Sequence, residues 1–282
     1  MKITNVLPML LFFLMFSSCN ESARRVTNPE DYNVYLETKV NTSEVSAKKE
    51  FAFWEEKLEK APNQFPYLGK MASANSQLFG ATGAIQYLIE AENNLKAANK
   101  KTNYNNASYL RALARNYISQ HRFKEALELL KKAEANGENL ENTQKMLFDV
   151  YLELGNYAQA ESYLKEFKSF SDFDYLIRLS KWSDHQGNLD AAIKYMEKAT
   201  TIAESSNINS LKQWSYTNLA DFYGHANRIQ ESYDHYLKAL ELDPNDAYAK
   251  KGISWIVYSY ERNPEEALRI LDSITKQHKS PD

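Results

Sequence analysis

Apolar side chains recur three and four positions apart along most of the chain, which is the spacing of one face of an α-helix. In the segment YLRALARNYISQ, for example, Leu110, Leu113, Ala114 and Tyr117 fall on one face. Similar segments read TQKMLFDVYLEL, YLIRLSKWSDHQ and WSYTNLADFYGH, and each is followed by a short turn and a second segment of the same period. The pattern therefore predicts pairs of antiparallel helices and an all-α protein.

The second helix of each predicted pair carries a small residue near its middle, and these residues mark an internal repeat. The five clearest are Ala126, Ala160, Ala192, Ser232 and Ala267. The steps between them are 34, 32, 40 and 35 residues, and a weaker copy places Ala84 another 42 residues upstream. Small residues allow the two helices of a pair to cross at the typical distance of about 8 to 10 Å. Because one pair alone exposes its apolar stripe, we expect the pairs to stack into an extended array.

Other positions recur with the same period. They are a Leu-small pair with a later aromatic in the first helix (Leu113, Ala114, Tyr117; Leu219, Ala220, Tyr223), glycine at the turn (Gly155, Gly187), paired alanines in the second helix (Ala126, Ala133; Ala192, Ala199) and Pro244 after the fifth unit. Together they resemble the tetratricopeptide repeat over about residues 45–280, most closely over residues 105–245. The resemblance implies a right-handed α-solenoid of about six hairpins that acts as a scaffold for protein or peptide binding.

The N-terminus is typical of a secretory signal peptide. Residues 1–18, MKITNVLPMLLFFLMFSS, contain the basic Lys2, an apolar run over residues 6–16 and two small residues before Cys19. A transmembrane anchor is the alternative, but the apolar run has about half of the roughly 20 residues that a membrane-spanning helix requires. Residues 19–43 are polar and weakly patterned, so we expect a tether there and the helical array over residues 44–282.

The stretch Phe16-Ser17-Ser18-Cys19 resembles the lipobox of bacterial lipoproteins. This resemblance implies that Cys19 becomes an acylated N-terminus, with palmitate among its chains, and that it anchors the protein to the envelope of a Gram-negative bacterium. The outer membrane is the expected membrane, on its periplasmic or its surface face. A free thiol in a discarded peptide and a reactive nucleophile are the other interpretations of Cys19.

Composition and motifs argue against several classes of function. The net charge is −3 and no block of five basic residues occurs, so nucleic acid binding is not expected. Cys19 is the only cysteine, which excludes thiolate zinc clusters, and the five histidines are too dispersed for metal-ligand spacing. The Gly-x-Ser-x-Gly, Walker, Rossmann and His-Glu-x-x-His motifs are missing. We predict no catalytic residue, metal or cofactor, and hence no enzyme.

Function is then expected on the concave surface, which the first helix of each hairpin lines in a solenoid of this kind. The repeat alignment predicts a groove set of Arg111, Arg115, Lys145, Asp149, Lys181, Asp184, Trp214, Asp221 and His225. Its early members are mostly basic, and its later members are acids with one tryptophan. The Lys-Asn clamp known from this family is replaced here by arginine pairs or by lysine and aspartate. The paired acids Asp172 with Asp174 and Asp243 with Asp246 fall at helix starts, where we expect them to act as caps.

Two functions agree with these observations. The first is a membrane-anchored scaffold that binds a protein or peptide segment in the groove. The alternative is a nutrient-binding lipoprotein, for a glycan or a peptide, that works with an outer-membrane importer. The last predicted helix, over about residues 264–277, is only moderately amphipathic, and the linker-like end KSPD predicts that the array continues in a longer chain. The partner and the oligomeric state are not specified by the sequence.

Overall fold

The computed structural model describes residues 25–276 and 278–279, so the predicted signal peptide and Cys19 lie outside the described residues. Every regular element in the described ranges is helical, which confirms the all-α prediction. The helices are α1 (Pro29–Leu36), α2 (Thr42–Lys60), α3 (Pro66–Thr82), α4 (Ile85–Lys101), α5 (Ala107–Ser119), α6 (Phe123–Asn136), α7 (Leu140–Glu153), α8 (Tyr157–Glu166), α9 (Phe173–His185), α10 (Leu189–Ser205), α11 (Asn209–His225), α12 (Ile229–Leu242), α13 (Ala247–Trp255) and α14 (Pro264–Thr275). Helix α13 continues into one π-helical turn, Ile256–Tyr260.

Helices α3 to α14 form six antiparallel hairpins that stack in sequence order, and α2 precedes them and packs against α3. The first helices of neighbouring hairpins also touch each other, as α3 does with α5 and α5 with α7. An inner layer of first helices and an outer layer of second helices result. The chain is therefore an α-solenoid, as predicted from its repeats.

The hairpins cross at the small residues that mark the repeat. Four of the five are fully buried, and Ala267 is 3% exposed. In two hairpins a serine of the first helix donates a hydrogen bond to the backbone of the second at this point. Ser180 Oγ lies 2.7 Å from the Ala192 carbonyl oxygen, and Ser254 Oγ lies 3.0 Å from that of Ala267. A larger side chain at the crossing would separate the two helices.

Each hairpin turn contains one residue in the left-handed region of backbone conformation. Glycine occupies three of these positions, with φ of 65° at Gly83, 74° at Gly155 and 76° at Gly187. The other three are His121, Asn227 and Arg262, with φ between 57° and 59°. Left-handed backbone is unfavourable for residues with a Cβ atom, so His121 and Arg262 are held there by the hairpin geometry.

The segment expected to be a polar tether differs from that expectation in its described part. We name residues 25–41 the N-terminal strap, because they run from the last hairpin to the first. Asn28 caps α1 by accepting from the Glu30 N–H, and Pro29 begins the helix. Tyr32 of α1 is fully buried against α12 and α14. The polar composition of the strap did not predict this packing, because its polar groups bind the array instead of water.

Hydrogen bonds hold the first part of the strap to the last hairpin. The Glu261 carboxylate accepts from the backbone N–H groups of Val26 and Thr27, at 2.7 and 2.5 Å, and from the Thr27 hydroxyl at 3.1 Å. The Tyr32 hydroxyl donates to Glu266 Oε1 at 2.6 Å. Burial and the Glu266 carboxylate both raise the pKa of Tyr32, so this phenol stays protonated.

The end of the strap connects the two ends of the solenoid. Asn245, in the turn before α13, donates from Nδ2 to the Val40 carbonyl at 2.9 Å. Asn41, which follows Val40 in the strap, donates from Nδ2 to the Ala81 carbonyl at the end of α3, at 2.8 Å. After α14, the Lys279 N–H reaches the Thr82 carbonyl at 2.6 Å. The first and last hairpins are thus tied to each other as well as to their neighbours along the array.

We expect Gly187→Ala to lower the free energy of unfolding by about 1 kcal/mol, because alanine is unfavourable at positive φ. Gly80→Ala is the matched control, since Gly80 lies inside α3 and an added methyl group would meet no atom within 4 Å at either position. At position 80, alanine should raise the free energy of unfolding by about 0.5 to 1 kcal/mol, because alanine has a higher helix propensity than glycine. Urea denaturation measures the free energy of unfolding of both variants. Equal changes at the two positions would contradict the assigned turn geometry.

We expect Glu261→Ala to release the strap, because two backbone N–H groups and one hydroxyl lose their acceptor. A lost set of charge-assisted hydrogen bonds of this kind costs roughly 1.5 to 3 kcal/mol, so hydrogen exchange in residues 26–36 should accelerate about tenfold or more. Glu265→Ala changes an exposed carboxylate on the same hairpin and should leave that exchange unchanged. Unaltered exchange in the Glu261 variant would show that the strap is held by other contacts.

Candidate functional site

The concave surface of the first four hairpins forms one continuous groove of about 660 Å³. Its walls come from the first helices α3, α5, α7 and α9, as expected for a solenoid of this kind. Small and uncharged polar side chains cover most of the surface, and none of the described residues that line it is aromatic. These residues include Ser73, Ser76, Gln77, Ser108, Ser119 and Asn142. The charged groups of the groove are concentrated on α5, α7 and α9.

Arg111 and Arg115 lie one helical turn apart on α5 and both line the groove. Arg111 donates from Nη1 to the Glu138 carbonyl at 2.8 Å and to Thr143 Oγ1 at 3.1 Å, so it links α5 to the next hairpin. Burial, together with the nearby charge of Arg115, lowers the pKa of the Arg111 guanidinium. The exposed Arg115 guanidinium makes no hydrogen bond or ion pair with another described residue. Arg115 is therefore a cation that the fold leaves available to a ligand.

Lys145, which the sequence placed in the groove set, lines the groove but is neutralised. Its ammonium is buried and lies 2.8 Å from Glu141, 3.3 Å from Asp172 and 3.2 Å from Asp174. Burial alone would lower the pKa of Lys145, but these carboxylates raise it above its ordinary value. Because three acids surround the ammonium, it serves the packing of α7 on α9 and has little capacity to attract an anion.

Arg178 is a groove residue that the sequence analysis missed. Its guanidinium donates from Nη2 to Asp149 Oδ2 at 2.7 Å and from Nε to the Lys145 carbonyl at 3.1 Å. Asp149, a predicted groove residue, therefore forms an ion pair with Arg178 inside the array. The sequence feature that could have indicated Arg178 is Asp174, which lies one helical turn before it. The repeat alignment selected Lys181 instead.

The other predicted groove residues do not line this groove. Lys181 pairs with Glu153 at 2.7 Å, and Asp184 and His225 are exposed near the ends of their helices. Trp214 is 43% exposed and packs edge-to-face on Phe173, with ring centroids 5.9 Å apart. The structure therefore brings together three of the nine predicted residues, namely Arg111, Arg115 and Lys145.

Asp221 is used within the fold. Its two carboxylate oxygens accept hydrogen bonds from the phenols of Tyr236 and Tyr248, on α12 and α13. Burial, with the Asp221 carboxylate, raises the pKa of both phenols, so they remain donors. Next to this cluster, Gln213 and Tyr248 line a smaller cavity of about 290 Å³ between the first and last hairpins. Asp221, an acidic member of the predicted groove set, thus has a structural role.

One acid of each predicted pair, Asp172 and Asp246, caps a helix, whereas Asp174 pairs with Lys145 and Asp243 lies at the end of α12. Asp172 accepts from the Tyr175 N–H at 2.8 Å at the start of α9. Asp246 accepts from the N–H groups of Tyr248 and Ala249, at 2.8 and 3.0 Å, at the start of α13. Within the described ranges, no group of three or more His, Cys, Asp or Glu side chains is arranged to hold a metal ion. In the same ranges, no helix has both the length and the apolarity needed to cross a membrane.

Two segments of the chain match the family model for the tetratricopeptide repeat, residues 173–206 and 215–246. These segments contain α9 with α10 and most of α11 with α12. Two units of this chain are therefore similar to tetratricopeptide repeats. A comparison with curated proteins finds no match.

Solved structures share the fold. A chain of the APC/C heterotetramer Cut9–Hcn1 matches with a TM-score of 0.62 and 15% identity, over 84% of this chain and 44% of that one. Yeast Tom70 matches with a TM-score of 0.56 and 14% identity, over 94% and 62%. A thermophilic TPR protein of Thermus thermophilus matches with 0.52 and 19%, over 66% and 97%. The chain thus spans less than two thirds of the Cut9–Hcn1 and Tom70 chains, and at these identities the likeness shows the fold alone.

Proposed function

We propose that the protein is a lipid-anchored scaffold of the Gram-negative cell envelope, attached through Cys19 to the outer membrane, and that its groove binds an extended segment of a partner protein. The signal-like residues 1–18 and the lipobox resemblance of Cys19 support the anchor. The tetratricopeptide repeats support the scaffold, because stacked hairpins present a preformed concave surface to a peptide.

The single observation that carries the groove assignment is the contrast between Arg115 and its neighbours. Lys145 and Arg178 are neutralised by acids of the same chain, whereas the Arg115 guanidinium is unpaired among the described residues and opens onto serine, asparagine and glutamine side chains. An unpaired cation among neutral donors and acceptors suits an extended backbone with a carboxylate at one position. We therefore propose a partner segment that places an acidic side chain or a C-terminal carboxylate against Arg115.

The groove lining favours a protein segment over a glycan. Sugar rings are commonly held by stacking on aromatic side chains, and the part of the chain that the structure describes places none in the lining of the 660 Å³ groove. Backbone amides of an extended peptide instead require hydrogen-bonding groups at regular intervals. The serine, asparagine and glutamine side chains of α3, α5 and α7 offer such groups.

The proposal is tested by site-specific photo-crosslinking in intact cells. A photoreactive residue at Ser76, in the groove, should give a discrete adduct whose partner can be identified by mass spectrometry. The same residue at Glu128, exposed on the outer helix α6, is the positional control and should not give that adduct. Identical adducts from both positions would contradict groove binding, and saturable binding of an oligosaccharide without a protein adduct would favour the nutrient-binding alternative.

For the identified segment, we expect Arg115→Gln to weaken binding about tenfold or more, because a charge-assisted hydrogen bond contributes roughly 1.5 to 3 kcal/mol. Lys181→Gln removes the same charge outside the groove lining and should change the affinity by less than about twofold. Isothermal titration calorimetry of both variants at two salt concentrations measures the difference. Equal losses of affinity in the two variants would mean that the effect comes from the net charge of the protein and not from a contact with Arg115.

A further inference from the structure

The last hairpin exposes an apolar face that nothing among the described residues covers. Trp255 and Tyr258 on the α13 side, with Leu268 and Leu271 on α14, line a cleft of about 380 Å³. Trp255 is 45% exposed, Tyr258 61% and Leu268 60%. In the preceding unit, the hairpin of α11 and α12 is covered by α13, which packs against both helices. Contiguous apolar surface of this kind marks a contact with another molecule or with a membrane. We name it the end face.

The strap leaves the end face uncovered. On α14 it binds Glu266 and Arg269, through Tyr32 and Asn33. Leu268 and Leu271 lie on the opposite side of α14, because successive residues of a helix are about 100° apart. Whatever covers the end face therefore lies outside the described part of the chain.

The strap also fixes where the chain leads to Cys19. The N–H groups of Val26 and Thr27 are bound to Glu261. Glu261 is three residues after Tyr258, about one helical turn. The seven residues from Cys19 to Val26 reach about 25 Å at most. Whatever holds Cys19 must therefore lie close to the last hairpin.

The composition of the end face suits the surface of a bilayer. Tryptophan and tyrosine favour the boundary between lipid headgroups and acyl chains, where one end of the side chain is apolar and the other is wet. Lys251 lines the same cleft, and its ammonium makes no ion pair or hydrogen bond with another described residue. A cation at this position favours anionic lipid headgroups.

We propose that the end face rests on the lipid bilayer beside the acyl chains of Cys19. The proposal rests on the lipid anchor of the proposed function and adds a second, side-chain contact to it. Two contacts on one hairpin fix the orientation of the solenoid. The last hairpin lies on the membrane, and Arg115 and the groove lie outside this contact, because the groove and the end face share no lining residue.

The test uses the chain from Cys19 onward, which contains every described contact. Cys19 is its only cysteine, so it couples at that position alone to a maleimide lipid in vesicles of phosphatidylethanolamine and phosphatidylglycerol. With brominated acyl chains in the vesicles, we expect the emission of one of the four tryptophans to be quenched. Trp255→Phe should abolish the quenching. Trp214→Phe, which removes another exposed tryptophan, should leave it unchanged.

Leu268→Ser provides a second variant that retains all four tryptophans and should reduce the quenching, with folding checked by circular dichroism. Absent quenching in the wild type, or quenching that persists in Trp255→Phe, would overturn the proposal. Dimers of the uncoupled chain that Leu268→Ser dissociates, detected by light scattering, would assign the end face to a second copy instead. Because the coupling is chemical, a negative result would leave acylation of Cys19 and groove binding in the cell unaffected, and those are tested separately.

Discussion

The close crossing of two helices at a small residue is the constraint on which the rest of the structure depends. The small residues Ala126, Ala160, Ala192, Ser232 and Ala267 are buried at these crossings, and at two of them, Ala192 and Ala267, a serine hydroxyl of the first helix reaches the carbonyl oxygen of the small residue. Because this close crossing recurs, the hairpins can stack on one another in sequence order. The concave groove follows from that repetition, because the first helices always fall on the inner side.

The features that the sequence predicted well are those set by contacts within one repeat. The helix period, the buried small residues and the glycines at positions 155 and 187 all act over fewer than 35 residues, and each recurs several times. Recurrence also explains why His121 and Arg262 adopt positive φ. Their turns must match those of the other hairpins, although neither residue type predicts a left-handed conformation.

Contacts between distant residues could not be predicted in this way. The bond between Val26 and Glu261 joins residues 235 positions apart, and the strap has no repeat to reveal it. The charges available in the groove could not be predicted for a related reason. The repeat pattern indicates some of the inward charges, such as Arg111, Arg115 and Lys145, but it does not show which of them find an opposite charge on a neighbouring helix. Lys145 and Arg115 are both inward cations, and the acids Glu141, Asp172 and Asp174 around Lys145 distinguish the neutralised one from the available one.

The strap changes how a solenoid of this kind can respond to a ligand. In an ordinary repeat array each unit touches only its neighbours, so the superhelix can lengthen or shorten by small rotations at every interface. Here Asn41 and Asn245 join the first and last units through the strap, and those rotations can no longer add freely. A groove in an array restrained at both ends loses less conformational entropy when a segment binds. The same restraint holds the last hairpin, the N-terminal exit and the groove in one fixed relation, so a contact that orients one of them orients all three.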